Sequence, residues 1–108
     1  MEIEMSQYKQ LIHEEVVLYL ENGYYDHALR FVNEFMLHFP EDQEGYWAYS
    51  LIFAVRKDIN RSFEYMKKAL DGGLSLSRFT LDSSTLFDSL TESKLFQDYI
   101  KEKELKVL

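Results

Sequence analysis

Three histidines, nineteen carboxylates and a scatter of serines are the side chains in this chain that could do chemistry. His27 and His38 stand eleven residues apart. On a helix that is about three turns, or ~16 Å, too far for two ligands of one ion. His13 sits beside Glu14, and adjacent helical residues point about 100° apart. All three histidines are expected on the surface, and no metal or other cofactor is expected. Glu14 and Glu15 splay apart for the same reason. Glu41, Asp42 and Glu44 crowd a helix start, where the helix dipole favours negative charge. A general acid needs a carboxyl in an apolar pocket with a partner, and no pair here has that pattern. Ser75, Ser77, Ser83, Ser84, Ser89 and Ser93 lie in no nucleophile-elbow sequence. Gly72-Gly73 lacks the glycine spacing and the following Lys-Ser/Thr of a phosphate loop, so it reads as a helix stop. Arg56, Lys57 and Arg61 cluster at one turn, as do Lys67 and Lys68, and both groups read as solvated helix ends. Binding, not catalysis, is the activity these residues predict.

The sharpest single feature is Trp47. Tyr46 fills the inward position of its helix, which puts Trp47 about 100° round from it. Facing outward, it would be a natural binding anchor, because tryptophan is enriched among hot spots. Alternatively it packs against the first part of the chain, since large aromatics are mostly buried. The sequence leaves both readings open.

The elements that must position these residues follow from composition and periodicity. The 108 residues predict one domain, because two would each lack a workable core. Hydrophobic residues make up 46% and aromatics 16%, too much apolar material for a disordered chain. The net charge of −7 argues against nucleic-acid or anionic-membrane partners. Without cysteine there is no disulfide framework or thiolate ligand. No run approaches the ~20 apolar residues that span a bilayer, and the acidic start Met1-Glu2-Ile3-Glu4 does not read as a secretory signal. A cytoplasmic protein is expected.

Helical stripes at three- and four-residue spacing divide the chain. The first runs from about Ser6, its cap, to Glu21, with Ile12, Val16, Tyr19 and Leu20 inward and Asn22-Gly23 as a left-handed stop. The second runs from about Tyr25 to His38, with Ala28, Val32, Phe35, Met36 and Phe39 inward and Pro40 closing it. The third, from about Asp42 to Arg56, is apolar nearly all round. The fourth runs from about Asn60 to Leu70, capped by Asp58 or Asn60, and stops at Gly72-Gly73. Residues 74–81 read as an extended or single-turn connection. Ser83 or Ser84 would cap a short helix carrying Leu86, Phe87 and Leu90. Thr91 would cap a last helix with Leu95, Phe96, Tyr99 and Ile100 inward, fraying from Lys101 to Lys106. The fold class is all-α.

Sliding the chain until Ile12 meets Tyr46 brings the other apolar positions into coincidence as well. Leu18 then meets Ile52, Leu29 meets Phe63, Val32 meets Met66 and Met36 meets Leu70. Ala28 meets Ser62, small against small, which lets two helices approach closely. The stretch Gly23-Tyr24-Tyr25-Asp26-His27-Ala28-Leu29, ending at Pro40, resembles the second half of a tetratricopeptide repeat. That family repeats a helix–turn–helix unit of about 34 residues, the same offset. Residues 9–42 would be one repeat and 43–76 a degenerate second, in which Lys57, Ser62 and Leu74 replace the glycine, alanine and proline. Leu86-x-x-x-Leu90 followed by Leu95-Phe96 resembles the terminating element of that family, which makes 77–108 a C-terminal cap. Thr91 and Lys94 stand where that element often has arginine and proline. Two repeats fall short of the three or more that usually stack stably, so the last helices or self-association must close the core.

The resemblance implies a concave wall built by the first helix of each repeat. Its positions would be Gln10, His13, Glu14 and Val17, then Glu44, Trp47, Ala48 and Leu51. His13, Val17 and Ala48 stand where some repeats of the family place the Lys and Asn that grip a C-terminal carboxylate, so that clamp is absent. The implied role is a non-catalytic protein-interaction module or adaptor that docks a peptide or partner helix against Val17, Trp47 and Leu51. A homodimer through the same wall would compete for it. The alternative is an acidic inhibitor or immunity-type protein that neutralises a basic partner such as a nuclease. Its association would accelerate sharply at low salt, where an apolar groove would barely respond.

Overall fold

Few residues in this chain break helices, and all of those but Gly45 mark element boundaries. The computed structural model describes the backbone of residues 5–80 and 85–107 and the side chains of 11–80 and 85–103. Among the described residues every regular element is a helix. They are α1 (Met5–Glu21), α2 (Tyr25–His38), α3 (Gln43–Val55), α4 (Ile59–Asp71), α5 (Ser77–Thr80), α6 (Asp88–Thr91) and α7 (Lys94–Val107). No described helix is long and apolar enough to cross a membrane. The protein is all-α.

Local chemistry explains most of the helix ends. Asp42 accepts the Glu44 amide at 2.8 Å and starts α3, while Asp58 accepts the Arg61 amide at 3.4 Å and starts α4. Three expectations change. The chain is already helical at Met5, so Ser6 lies inside α1 and does not cap it. Thr91 belongs to α6; the cap of α7 is Ser93, whose hydroxyl accepts the Phe96 amide at 3.2 Å. The mixed Lys/Glu tail does not fray at Lys101, because α7 continues to Val107. Residues 77–80 make the single turn that the connection allowed. Ser83 and Ser84 lie outside the described residues.

The two hairpin turns are conformational copies. Gly23 donates to Leu20 and Tyr24 to Tyr19 at the end of α1; Lys57 donates to Ala54 and Asp58 to Phe53 at the end of α3. Each pair closes the helix in a Schellman motif, which needs a left-handed residue. Gly23 supplies φ 79° freely, whereas Lys57 is forced to φ 65°. A side chain pays for that conformation where glycine does not. Lys57→Gly should therefore raise stability by about 0.5–1 kcal/mol, read as a higher urea midpoint. A lower midpoint would mean that the lysine stem matters more than the backbone.

Helix α3 is the centre of the molecule. It packs against α1, α2, α4 and α6, which is why its sequence is apolar nearly all round. Gly45 allows α2 to come close: a Cβ there would stand 2.0 Å from the Met36 sulfur. Ser50 and Ser62 are both fully buried and join α3 to α4 reciprocally. Each hydroxyl donates to the other residue's carbonyl at 2.8 Å. The equivalent positions of the first hairpin carry Val16 and Ala28, also buried. One hairpin thus meets across an apolar pair and the other across a satisfied polar pair.

On another side of α3, the rings of Tyr46, Tyr49 and Phe53 pack around Tyr65 of α4. The Tyr49 hydroxyl donates to Asn33 of α2 at 2.5 Å. Burial raises its pKa above the ordinary tyrosine value, and the neighbouring Tyr65 and Tyr46 push the same way.

Candidate functional site

Positions 10, 13, 14 and 17 of α1 share one face by helical spacing, as do 44, 47, 48 and 51 of α3. The two helices pack side by side, so the faces form one wall. The side chain of Gln10 lies outside the described residues. Glu14 is exposed, His13 and Val17 are half-buried, and Glu44 is nearly covered. Trp47, Ala48 and Leu51 have no exposed surface. The expected trough has its floor, but the floor is roofed.

The roof is the chain's own C-terminal part. Arg78 of α5 reaches the wall and sets both guanidinium nitrogens on Glu44, Nη1 to Oε1 at 2.8 Å and Nη2 to Oε2 at 2.9 Å. This is the bidentate geometry in which arginine and carboxylate bind most strongly. Nη2 also lies 3.2 Å from Nδ1 of His13. Arginine has only donors, so His13 Nδ1 accepts and its proton sits on Nε2. The Arg78 backbone carbonyl accepts Trp47 Nε1–H at 3.1 Å. Its guanidinium carbon stands 5.2 Å from the Trp47 ring centre, within cation–π range.

Aromatic packing completes the closure. The His13 imidazole stacks on Trp47 at 4.6 Å and 13°. Phe87 meets the indole edge-on at 6.0 Å, and Phe79 packs on Phe87 at 5.1 Å. Phe79, Phe87, Leu90 and Phe96 belong to the same buried core as Trp47, Ala48 and Leu51. Tyr46, expected inward, is only half-buried, while its neighbour Trp47 is the one fully enclosed. The reason is that α5 and α6 bring a second apolar layer to the Trp47 side.

His13 therefore departs from the surface position expected of it, while His27 and His38 are exposed on α2. The residues that sequence reasoning missed are Arg78, Phe79 and Phe87. In the sequence Arg78 is the one charge among residues 72–81, with no local mark of a partner. Chemically, Glu44 is saturated by the guanidinium, and no hydroxyl or thiol joins the cluster in the bonds described. The arrangement sets a main-chain carbonyl and a cation of α5 against an aromatic ring and a carboxylate of α3. No protein-family model, curated protein or solved structure matches this chain, so its role is read from this geometry.

Proposed function

We propose that this chain is a non-catalytic protein-interaction module of two tetratricopeptide-like hairpins, whose α1–α3 wall receives a short segment carrying arginine followed by an aromatic residue. The identical hydrogen-bonding of the equivalent turns at Gly23 and Lys57 supports the repeat. One observation carries the binding role. The wall already holds such a segment, Arg78-Phe79, through contacts that a separate peptide could supply equally well. The resident segment then acts as an internal ligand that a partner must displace. A homodimer through this wall would likewise need that segment to leave. Glu14, exposed beside the cluster, adds negative charge to the approach of a basic partner.

The test is rescue in trans. In an Arg78→Ala, Phe79→Ala variant, a hexapeptide of sequence Ser-Leu-Ser-Arg-Phe-Thr should bind saturably. It should return the indole N–H resonance of Trp47, the sole tryptophan, towards its wild-type position. The same peptide with alanine for arginine should bind at least about tenfold more weakly. Equal binding of both peptides, or none by either to a variant still helical by circular dichroism, overturns the reading.

A further inference from the structure

Away from the wall, beside the α1–α2 turn, lies a cavity of about 440 Å³ lined by Tyr24, Tyr25, Asp26, His27, Arg30 and Arg56, with Gly23 at its edge. The chain has four arginines. Arg61 is paired with Asp58 and lies over Phe53, and Arg78 is committed to Glu44. Arg30 and Arg56, by contrast, make no ion pair or hydrogen bond among the described residues, although the chain carries nineteen carboxylates. They come from different helices, Arg30 from α2 and Arg56 from the end of α3, yet line one cavity. Two positive side chains lining one cavity favour an anion there. Asp26 also lines the space but pairs with neither arginine within 4.0 Å. One carboxylate leaves the pair a net positive charge.

The rings beside them are as informative as the charges. Tyr24 is 56% exposed and Tyr25 38%. Tyr24 lies 5.5 Å from His27 between ring centres. Exposed aromatic faces next to unpaired guanidiniums suit an anion attached to a planar organic group. The volume exceeds what a bare ion needs and lies within the range of small-molecule sites.

We propose that this cavity binds a phosphate monoester, with the phosphoryl oxygens on Arg30 and Arg56 and the ester's organic group against Tyr24 and Tyr25. A free small-molecule phosphate and a phosphorylated tyrosine of a protein present the same chemistry. The site is separate from the α1–α3 wall and does not depend on the function proposed for it.

Phenyl phosphate titrated into the wild-type protein at low salt tests this by amide and arginine side-chain resonances. Saturable shifts should be confined to residues 23–27, Arg30 and Arg56, with half-saturation in the millimolar range or below, on the order of 1 mM. Arg30→Ala and Arg56→Ala, both at exposed positions, should each weaken binding about tenfold. Lys67→Ala, on α4, should leave it unchanged. Inorganic phosphate should bind more weakly than phenyl phosphate, and Tyr24→Ala should narrow that gap. A phosphotyrosine peptide that outcompetes phenyl phosphate would assign the source to a protein; one that binds no better would assign it to a small molecule. Three results overturn the proposal: no saturation at about 10 mM, binding indifferent to both arginine variants, or phenylacetate binding as tightly as phenyl phosphate.

Discussion

Trp47→Ala should cost about 3–5 kcal/mol of folding stability. A domain of this length has about 5–15 kcal/mol in all, so the variant should be severely weakened. The indole is fully enclosed, and its removal leaves a cavity between α1, α3 and α6. It also takes away the ring on which His13 stacks and against which Phe87 packs. Trp47→Phe keeps an aromatic surface but loses the Nε1–H bond to the Arg78 carbonyl. It should cost roughly half as much, since an unpaired carbonyl and a smaller void cost about 1–3 kcal/mol. Urea unfolding followed by far-ultraviolet circular dichroism measures both. A loss under about 1 kcal/mol for the alanine variant would show that the C-terminal segment does not close over the wall. It follows that Trp47→Ala is a folding variant first, and a binding defect in it would say little about recognition.

The second large effect concerns Arg78 and Glu44. Their side chains are 23% and 13% exposed, covered enough that screening by salt removes only part of the attraction. Glu44→Gln leaves the guanidinium without its carboxylate, and Arg78→Ala leaves the carboxylate without its cation. Each should cost about 2–3 kcal/mol. The double variant should cost clearly less than the sum, with a coupling of about 1–2 kcal/mol. The same cycle has a local readout. Without the guanidinium, α5 keeps only the residue-78 carbonyl on Trp47 Nε1–H and the apolar packing of the segment around Phe79, so hydrogen exchange at the Trp47 indole should quicken by at least about tenfold. Additive costs, or an indole proton protected as in wild type, would show that the guanidinium does not hold the segment in place.

How much of this was legible in the sequence depends on the range of the interaction. Helix α2 spans the residues its stripe predicts, because Ala28, Val32 and Phe35 repeat within one element and Pro40 ends it locally. Asp42 and Asp58 cap their helices by bonds to amides two or three residues away. The left-handed turn at Lys57 was not read from the sequence, because a lysine gives no local sign of positive φ. Where Thr91 and Ser93 compete to start α7, both are good caps, and only the packing of α6 against α4 and α3 decides between them.

The wall shows the opposite case. The helical spacing of His13, Glu14, Glu44 and Trp47 places them on adjoining faces, but spacing says nothing about what lies over those faces. Arg78 is far along the chain from both Glu44 and His13, yet bonds to each. No local rule links an arginine among serines to a carboxylate two helices back. Periodicity within a helix determined that this protein is all-α and which face of α2 points inward. Only the tertiary structure decided that Trp47 is enclosed, that His13 is half-buried beneath Arg78 and that Arg30 and Arg56 share a cavity. Each of those depends on chain segments meeting across distances for which backbone hydrogen bonds and side-chain period carry no information.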